Sequence, residues 1–142
     1  MKEVLINIKG VQTVNGEKNS TELTTVGELK TINGKTYLRY DDSTSTGVNG
    51  VFSIIKIDEP DTVSIQHTGN LHSNLYVERQ KRNVCHYETA YGGLELGVFG
   101  RNVETEIGNS CGKVKLNYTL DVNHGFLSEN SIEITYKVTK EQ

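Results

Sequence analysis

The chain has 142 residues, fifteen Lys and Arg against eighteen Asp and Glu, a net charge of −3, 35% apolar residues and 23% charged ones. That length suits a single domain over 1–142 with a sizeable core, and the composition excludes a disordered chain. The slightly acidic balance argues against nucleic acid and anionic membrane as partners, and no apolar run is long enough to cross a bilayer as a helix.

Period two runs along the whole chain. Met1-Lys2-Glu3 leads into an alternating strand over 3–14 with Val4, Ile6 and Ile8 on one face, rather than into the apolar run of a secretion signal. Asn15-Gly16 ends it. Strands over 21–32 and 35–41 flank Asn33-Gly34, the sharpest two-residue hairpin in the chain, because both residue types tolerate the positive φ that such turns need. A polar loop follows, with Ser43-Thr44-Ser45-Thr46, room for one helical turn at 43–47, and a third pair, Asn49-Gly50. Strands over 50–58 and 62–67 are split by Glu59-Pro60-Asp61. Strands over 74–80 and 84–91 follow Thr68-Gly69-Asn70 and Arg82-Asn83.

The stretch 88–107 holds Gly92, Gly93, Gly97 and Gly100. A phosphate-cradling loop would need a helix after its glycines. A strand pattern, 94–107, follows instead, so Gly92-Gly93 reads as a hairpin turn. Leu94, Leu96 and Val98 fall on even positions, Val103, Thr105 and Ile107 on odd ones. One inserted residue between Gly97 and Gly100, a β-bulge, would bring both sets to the same face. Strand 112–122 then alternates Val114, Leu116, Tyr118, Leu120 and Val122 with polar residues, and strand 131–139 does so with Ile132, Ile134, Tyr136 and Val138. No window of helical length shows an apolar stripe.

About ten consecutive strands with short turns make an all-β antiparallel meander. Open edges invite aggregation, and closure into an up-and-down barrel removes them; a two-sheet sandwich is the alternative. Barrel diameter grows with strand number, and eight strands enclose a space that side chains just fill. Ten therefore leave room for a small apolar or amphipathic ligand unless the barrel flattens. Seven tyrosines outnumber three phenylalanines, and there is no tryptophan to fill the centre. The candidate lining is Tyr87, Tyr91, Leu116, Tyr118, Leu120, Ile134 and Tyr136, apolar bodies with a few hydroxyl tips, as ligand pockets often have. Ordinary core packing is the competing reading of the same residues.

Catalytic signals are weak. His67, His72, His86 and His124 show no metal-ligand spacing, so neither metal nor cofactor is expected. Cys85 shares a phase with Tyr87 and Tyr91 and reads as a buried structural thiol; Cys111 begins a strand. Two cysteines are too few for a disulfide framework, so free thiols in a cytoplasmic protein are expected. Asp41-Asp42, Asp58-Glu59 with Asp61, and the basic run Arg79, Lys81, Arg82 read as solvated turns. The expectation is no enzyme.

Thr46-Gly47-Val48, Val63-Ser64-Ile65 leading to Gly69, Tyr87-Glu88-Thr89-x-Tyr91-Gly92 and Gly112-x-Val114-x-Leu116-x-Tyr118-x-Leu120 come in that order. Together they resemble the YwiB-like family of small bacterial proteins of unknown function, across essentially the whole chain; Tyr-x-Thr-x-Tyr-Gly is the most specific part. The resemblance implies a calycin-like, lipocalin-like barrel in the cytoplasm, with no catalytic residues to carry over. It also implies a basic residue between the Val-x-Ile strand and its glycine, where this chain has Gln66 and His67. Three readings of function follow: a non-catalytic barrel holding a small ligand inside, a filled barrel acting through its surface as a protein-interaction or regulatory module, and an enzyme using polar groups at the barrel mouth. A cavity, a packed core with an exposed apolar patch, and a convergent polar cluster would favour them in turn.

Overall fold

The computed structural model describes residues 2–41, 52–68, 73–89, 92–122 and 124–141, without the side chains of Thr68, Ser73, 86–89, Leu94 and Glu141. Strands β1 (Lys2–Val14), β2 (Glu17–Ile32), β3 (Lys35–Asp41), β4 (Phe52–Asp58) and β5 (Thr62–Thr68) are followed by β6 (Ser73–Glu78), β7 (Arg82–Thr89), β8 (Gly92–Ile107), β9 (Cys111–Val122) and β10 (Gly125–Glu141). Each pairs antiparallel with the next, and β1 pairs with β10 from Lys2↔Glu141 to Thr13↔Glu129, so the meander closes into a barrel. No helix occurs among the described residues. The expected helical turn at 43–47 and the Asn49-Gly50 pair lie outside them.

Both remaining Asn-Gly pairs form the tight turns their chemistry favours. Asn15 and Gly16 have φ of 51° and 80°, Asn33 and Gly34 of 52° and 78°, the left-handed pair that matches strand twist in a two-residue hairpin. The even positions of β9 and β10 point inward as their alternation requires: Val114, Leu116 and Ile134 are at most 1% exposed.

Three local expectations need correction. Gly92 and Gly93 are strand residues paired with Thr89 and Glu88, so they do not form the hairpin turn; the two residues between Thr89 and Gly92 lie outside the described set. The bulge sits one residue further on than 97–100: the β8–β9 register shifts between Gly100 and Asn102. Its effect is as expected, with Leu96, Val98 and Val103 all buried and Ile107 packed against the same core. Finally, β2 and β10 begin earlier than the patterns at 21 and 131 suggest, because polar residues 17–20 and 125–130 also pair with their neighbours.

Gly97 and Gly100 serve close approach. A Cβ on Gly97 would overlap the Arg82 guanidinium and come within 2.5 Å of Asp121 Oδ1; one on Gly100 would overlap the Glu78 carbonyl. At that point β6 leaves β7 and touches β8. The described β6–β7 ladder is the single pair Ser73↔Tyr87, whereas Arg79 bridges Gly100, and Gln80 N–H donates to Gly100 O at 2.6 Å. Cys85 fills part of the seam: its Sγ accepts from the Tyr76 N–H at 3.3 Å. Past the start of β7 the end of β6 and the turn after it therefore lie against β8.

Candidate binding site at the upper end of the barrel

The end at which β1, β3, β5 and β9 finish is called upper. Below it the interior is filled. Val4, Ile6, Leu38, Ile55, Val63, Val77 and Ile134 are all 0% exposed, so no solvent-sized void borders them. Of the seven candidate lining residues, Leu116 and Ile134 sit in this packed centre at 1% and 0% exposure. Tyr136 lies low in the barrel at 3%, where its Oη donates to Gly108 O at 2.8 Å. Burial pushes its phenol pKa up. Gly112, paired with Tyr136, makes room for the ring: a Cβ there would overlap it. Tyr87 is described by its backbone only and Tyr91 lies outside the described residues, so neither is placed as a lining side chain.

Tyr118 and Leu120 belong to a different layer. With Tyr40, Ile65, Leu75 and Leu96 they are 6–8% exposed. This upper layer also carries polar groups on inward positions. Ser53, in phase with Ile55 and Ile57, is 0% exposed, and its Oγ shares a 2.5 Å hydrogen bond with Nδ1 of half-buried His67. The two residues face each other on β4 and β5. On β10, Asn130 Nδ2 donates to Oγ of fully buried Ser128 at 2.9 Å. Burying a hydroxyl is costly unless it is hydrogen-bonded, and each of these serines has a partner.

These four residues were not among the sequence candidates. Ser53 and His67 carried a signal nonetheless: each is the polar member of an otherwise apolar phase at a strand's upper end, Ser53 with Ile55 and Ile57, His67 with Val63 and Ile65. His67 also stands where the family resemblance implied a basic residue. Ser128 and Asn130 lay before the alternation at 131, behind a register shift between Phe126 and Ser128.

The outside carries the strong charge pairs. Arg82 Nε and Nη2 donate to Asp121 Oδ2 and Oδ1 at 3.0 and 2.6 Å. The hydrogen bonds from Arg82 hold the Asp121 carboxyl below the usual carboxylate range. Burial raises the Cys85 thiol, whereas Cys111 is exposed, and both are unpaired. Three grooves are lined by described residues: one of about 450 Å³ between Val11, Lys18, Arg101 and Glu129, which Tyr118 and Asn130 also border, one of about 420 Å³ beside Pro60 and Arg79, and one of about 410 Å³ beside Val26, Tyr40 and Phe52. In the last, the Arg39 guanidinium stacks 4.3 Å from the Phe52 ring centre. Among the described residues no three His, Cys, Asp or Glu side chains form a group that could hold a metal.

Comparison with known proteins agrees with this architecture. Residues 6–134 match the model of a family described as a domain of unknown function, DUF1934. The chain is 22% identical over 134 residues to the uncharacterized beta-barrel protein YwiB of Bacillus subtilis (strain 168), covering 94% of this chain and 92% of that one. It is also similar to the crystal structure of the ywiB protein from Bacillus subtilis, with a TM-score of 0.83 at 20% identity, over 98% of this chain and 93% of that chain. That likeness speaks for the fold.

Proposed function

We propose, for a chain that belongs to the DUF1934 family of β-barrel proteins, a non-catalytic binding role in the cytoplasm, in which the upper end of the barrel takes a small amphipathic molecule. The observation that carries this reading is the Ser53–His67 pair, a hydrogen-bonded polar couple set into the inward face of an apolar lining. Tyr40, Tyr118 and Leu120 are the apolar members of the same layer, and half-buried His67, held by fully buried Ser53, is the polar group that a ligand's head would meet, the combination ligand sites commonly present. The notion of a ligand deep in the barrel gives way to a shallower one, since the centre around Leu116 and Ile134 is packed. Exposed, unpaired Cys111 fits a reducing compartment. The up-and-down strand order is that of calycin barrels, which supports counting this barrel among them.

The packed centre also favours a second reading, a filled barrel acting through its exterior as an interaction module. One experiment separates the two. The protein is melted against a panel of fatty acids and aromatic acids, together with the variants Ser53→Ala, His67→Phe and Leu116→Trp. The upper-end reading expects a stabilising ligand whose effect is lost in Ser53→Ala or His67→Phe and retained in Leu116→Trp. Loss in Leu116→Trp alone means binding in the centre. No stabilisation by any member of the panel moves the assignment to the exterior.

A further inference from the structure

Strand β2 is sixteen residues long, but β3 takes up only its last six, Gly27 to Ile32. Residues 17–26 pair with β1 on one side, and no described residue pairs with them on the other. Glu17 to Glu22, Thr24 and Val26 are exposed. Val14 and Glu17 flank the two-residue turn as a hydrogen-bonded pair, so odd residues of β2 direct their N–H and C=O to β1. Lys18, Ser20, Glu22, Thr24 and Val26 therefore direct theirs to the open edge. A long flat edge is a template for another strand unless proline, a bulge or a cover blocks it. Residues 17–26 contain no proline, and their register with β1 runs without a shift. The stretch of β8 beyond its ladder with β7 is fronted: Gln80 Nε2 donates to Arg101 O at 2.9 Å, and Thr105 Oγ1 to Glu59 Oε2 at 3.5 Å.

We propose that two copies of this chain associate by antiparallel pairing of residues 17–23 of β2, with Ser20 on the twofold axis. The charges select this register. Lys18 then lies opposite Glu22 of the partner subunit, and Glu22 opposite Lys18 of the partner subunit, so both charges are matched on the outer face. Centring on Thr21 leaves Lys18 opposite a threonine and Glu22 opposite a serine. Centring on Glu22 sets two carboxylates against each other. Asn7 already orients the outer face by donating to Glu22 Oε2 at 3.0 Å and Thr24 Oγ1 at 2.7 Å. The length also fits: residues 24–26 leave space for the partner's Asn15-Gly16 turn before β3 takes over the edge at Gly27. The pairing adds about six backbone hydrogen bonds and joins the two barrels' sheets.

Size-exclusion chromatography with light scattering tests this independently of any ligand at the upper end. The wild type is expected to be a dimer. Ser20→Pro is expected to be a folded monomer, because the Ser20 N–H faces the open edge and proline there removes no bond to β1. Lys18→Glu should raise the dimer dissociation constant roughly tenfold or more, and adding Glu22→Lys should restore it. In a Cys111→Ser background, Ser20→Cys should form a disulfide-linked dimer on mild oxidation and Thr24→Cys should not. A wild type that stays monomeric at the highest soluble concentration overturns the proposal. So does a dimer that survives Ser20→Pro, a charge swap that fails to restore Lys18→Glu, or equal crosslinking at positions 20 and 24.

Discussion

Replacing Leu116 by tryptophan asks whether the centre of the barrel is full. Leu116 is 1% exposed and sits opposite Val103 and Ile132, within a core in which no member is more than 8% exposed. Forcing a larger side chain into such a packed site typically costs about 1–3 kcal/mol, through off-rotamer side chains and backbone shifts. For a domain of this size each kcal/mol lowers the melting temperature by roughly 3–4 °C. A fall of about 3–12 °C is therefore expected for Leu116→Trp. Leu116→Ala should cost more, about 2–5 kcal/mol, because it removes buried methyl groups and leaves a void the closed sheet cannot collapse to fill. In a hollow barrel the order reverses, with tryptophan filling space and alanine losing only transfer energy. Calorimetry or urea unfolding of the three proteins reads the difference. A Leu116→Trp protein that melts at or above the parent would refute the packed-centre argument and return the candidate site to the interior.

Gly112→Ala should destabilise by about 1–3 kcal/mol, since its Cβ overlaps the Tyr136 ring; a double-mutant cycle with Tyr136→Leu, read by urea unfolding, should show that most of the cost is relieved. Asp121→Asn tests the ion pair with Arg82. The folded Asp121 carboxyl has a lowered pKa, so its contribution is present above the unfolded value of about 4 and is lost as pH falls through the folded value. The variant should be less stable than the parent at neutral pH, and the gap should close in unfolding curves taken at progressively lower pH. Thiol titration of the folded protein should label exposed Cys111 quickly and buried Cys85 only on unfolding; two equally fast thiols would contradict the placement of Cys85.

The strands most legible in the sequence are those with one buried and one wet face over their whole length. β9 and β10 show this in Val114 to Leu120 and in Ile134 to Tyr136, where the period of two is the direct imprint of the core. The start of β2 had no such imprint. Residues 17–22 are exposed on both faces, so no apolar phase marks them, and pairing with β1 alone makes them a strand. The start of β10 was hidden because a register shift beside Leu127 breaks the phase and leaves Phe126 67% and Leu127 43% exposed. Gly97 and Gly100 were read as local bend signals, yet their reasons are distant in sequence: the Arg82–Asp121 pair lies over one and Glu78 over the other. In the site, Ser53 and His67 were visible as polar residues in apolar phases, but their mutual contact depends on the β4–β5 register and could be found only in three dimensions.

Those two glycines also bear on why ten strands need not enclose a hollow. Strand count sets barrel diameter only if every neighbouring pair is fully laddered. Here β6 and β7 share one described pair. Below it Cys85 Sγ lies against the Tyr76 backbone, and at the end of β6 Glu78 and Arg79 reach β8, which can come that close because Gly100 has no Cβ. The bulge beside Gly100 bends β8 toward the contact. A side chain at position 100 would meet the Glu78 carbonyl and Val77 Cγ1 and push the end of β6 away from β8, opening the wall beside the packed centre. Gly100→Val is thus expected to do two things at once: lower the melting temperature, and let the barrel bind an apolar fluorescent probe that the parent excludes. Loss of stability without probe binding would mean that the interior is filled by its side chains alone, whatever the path of β6.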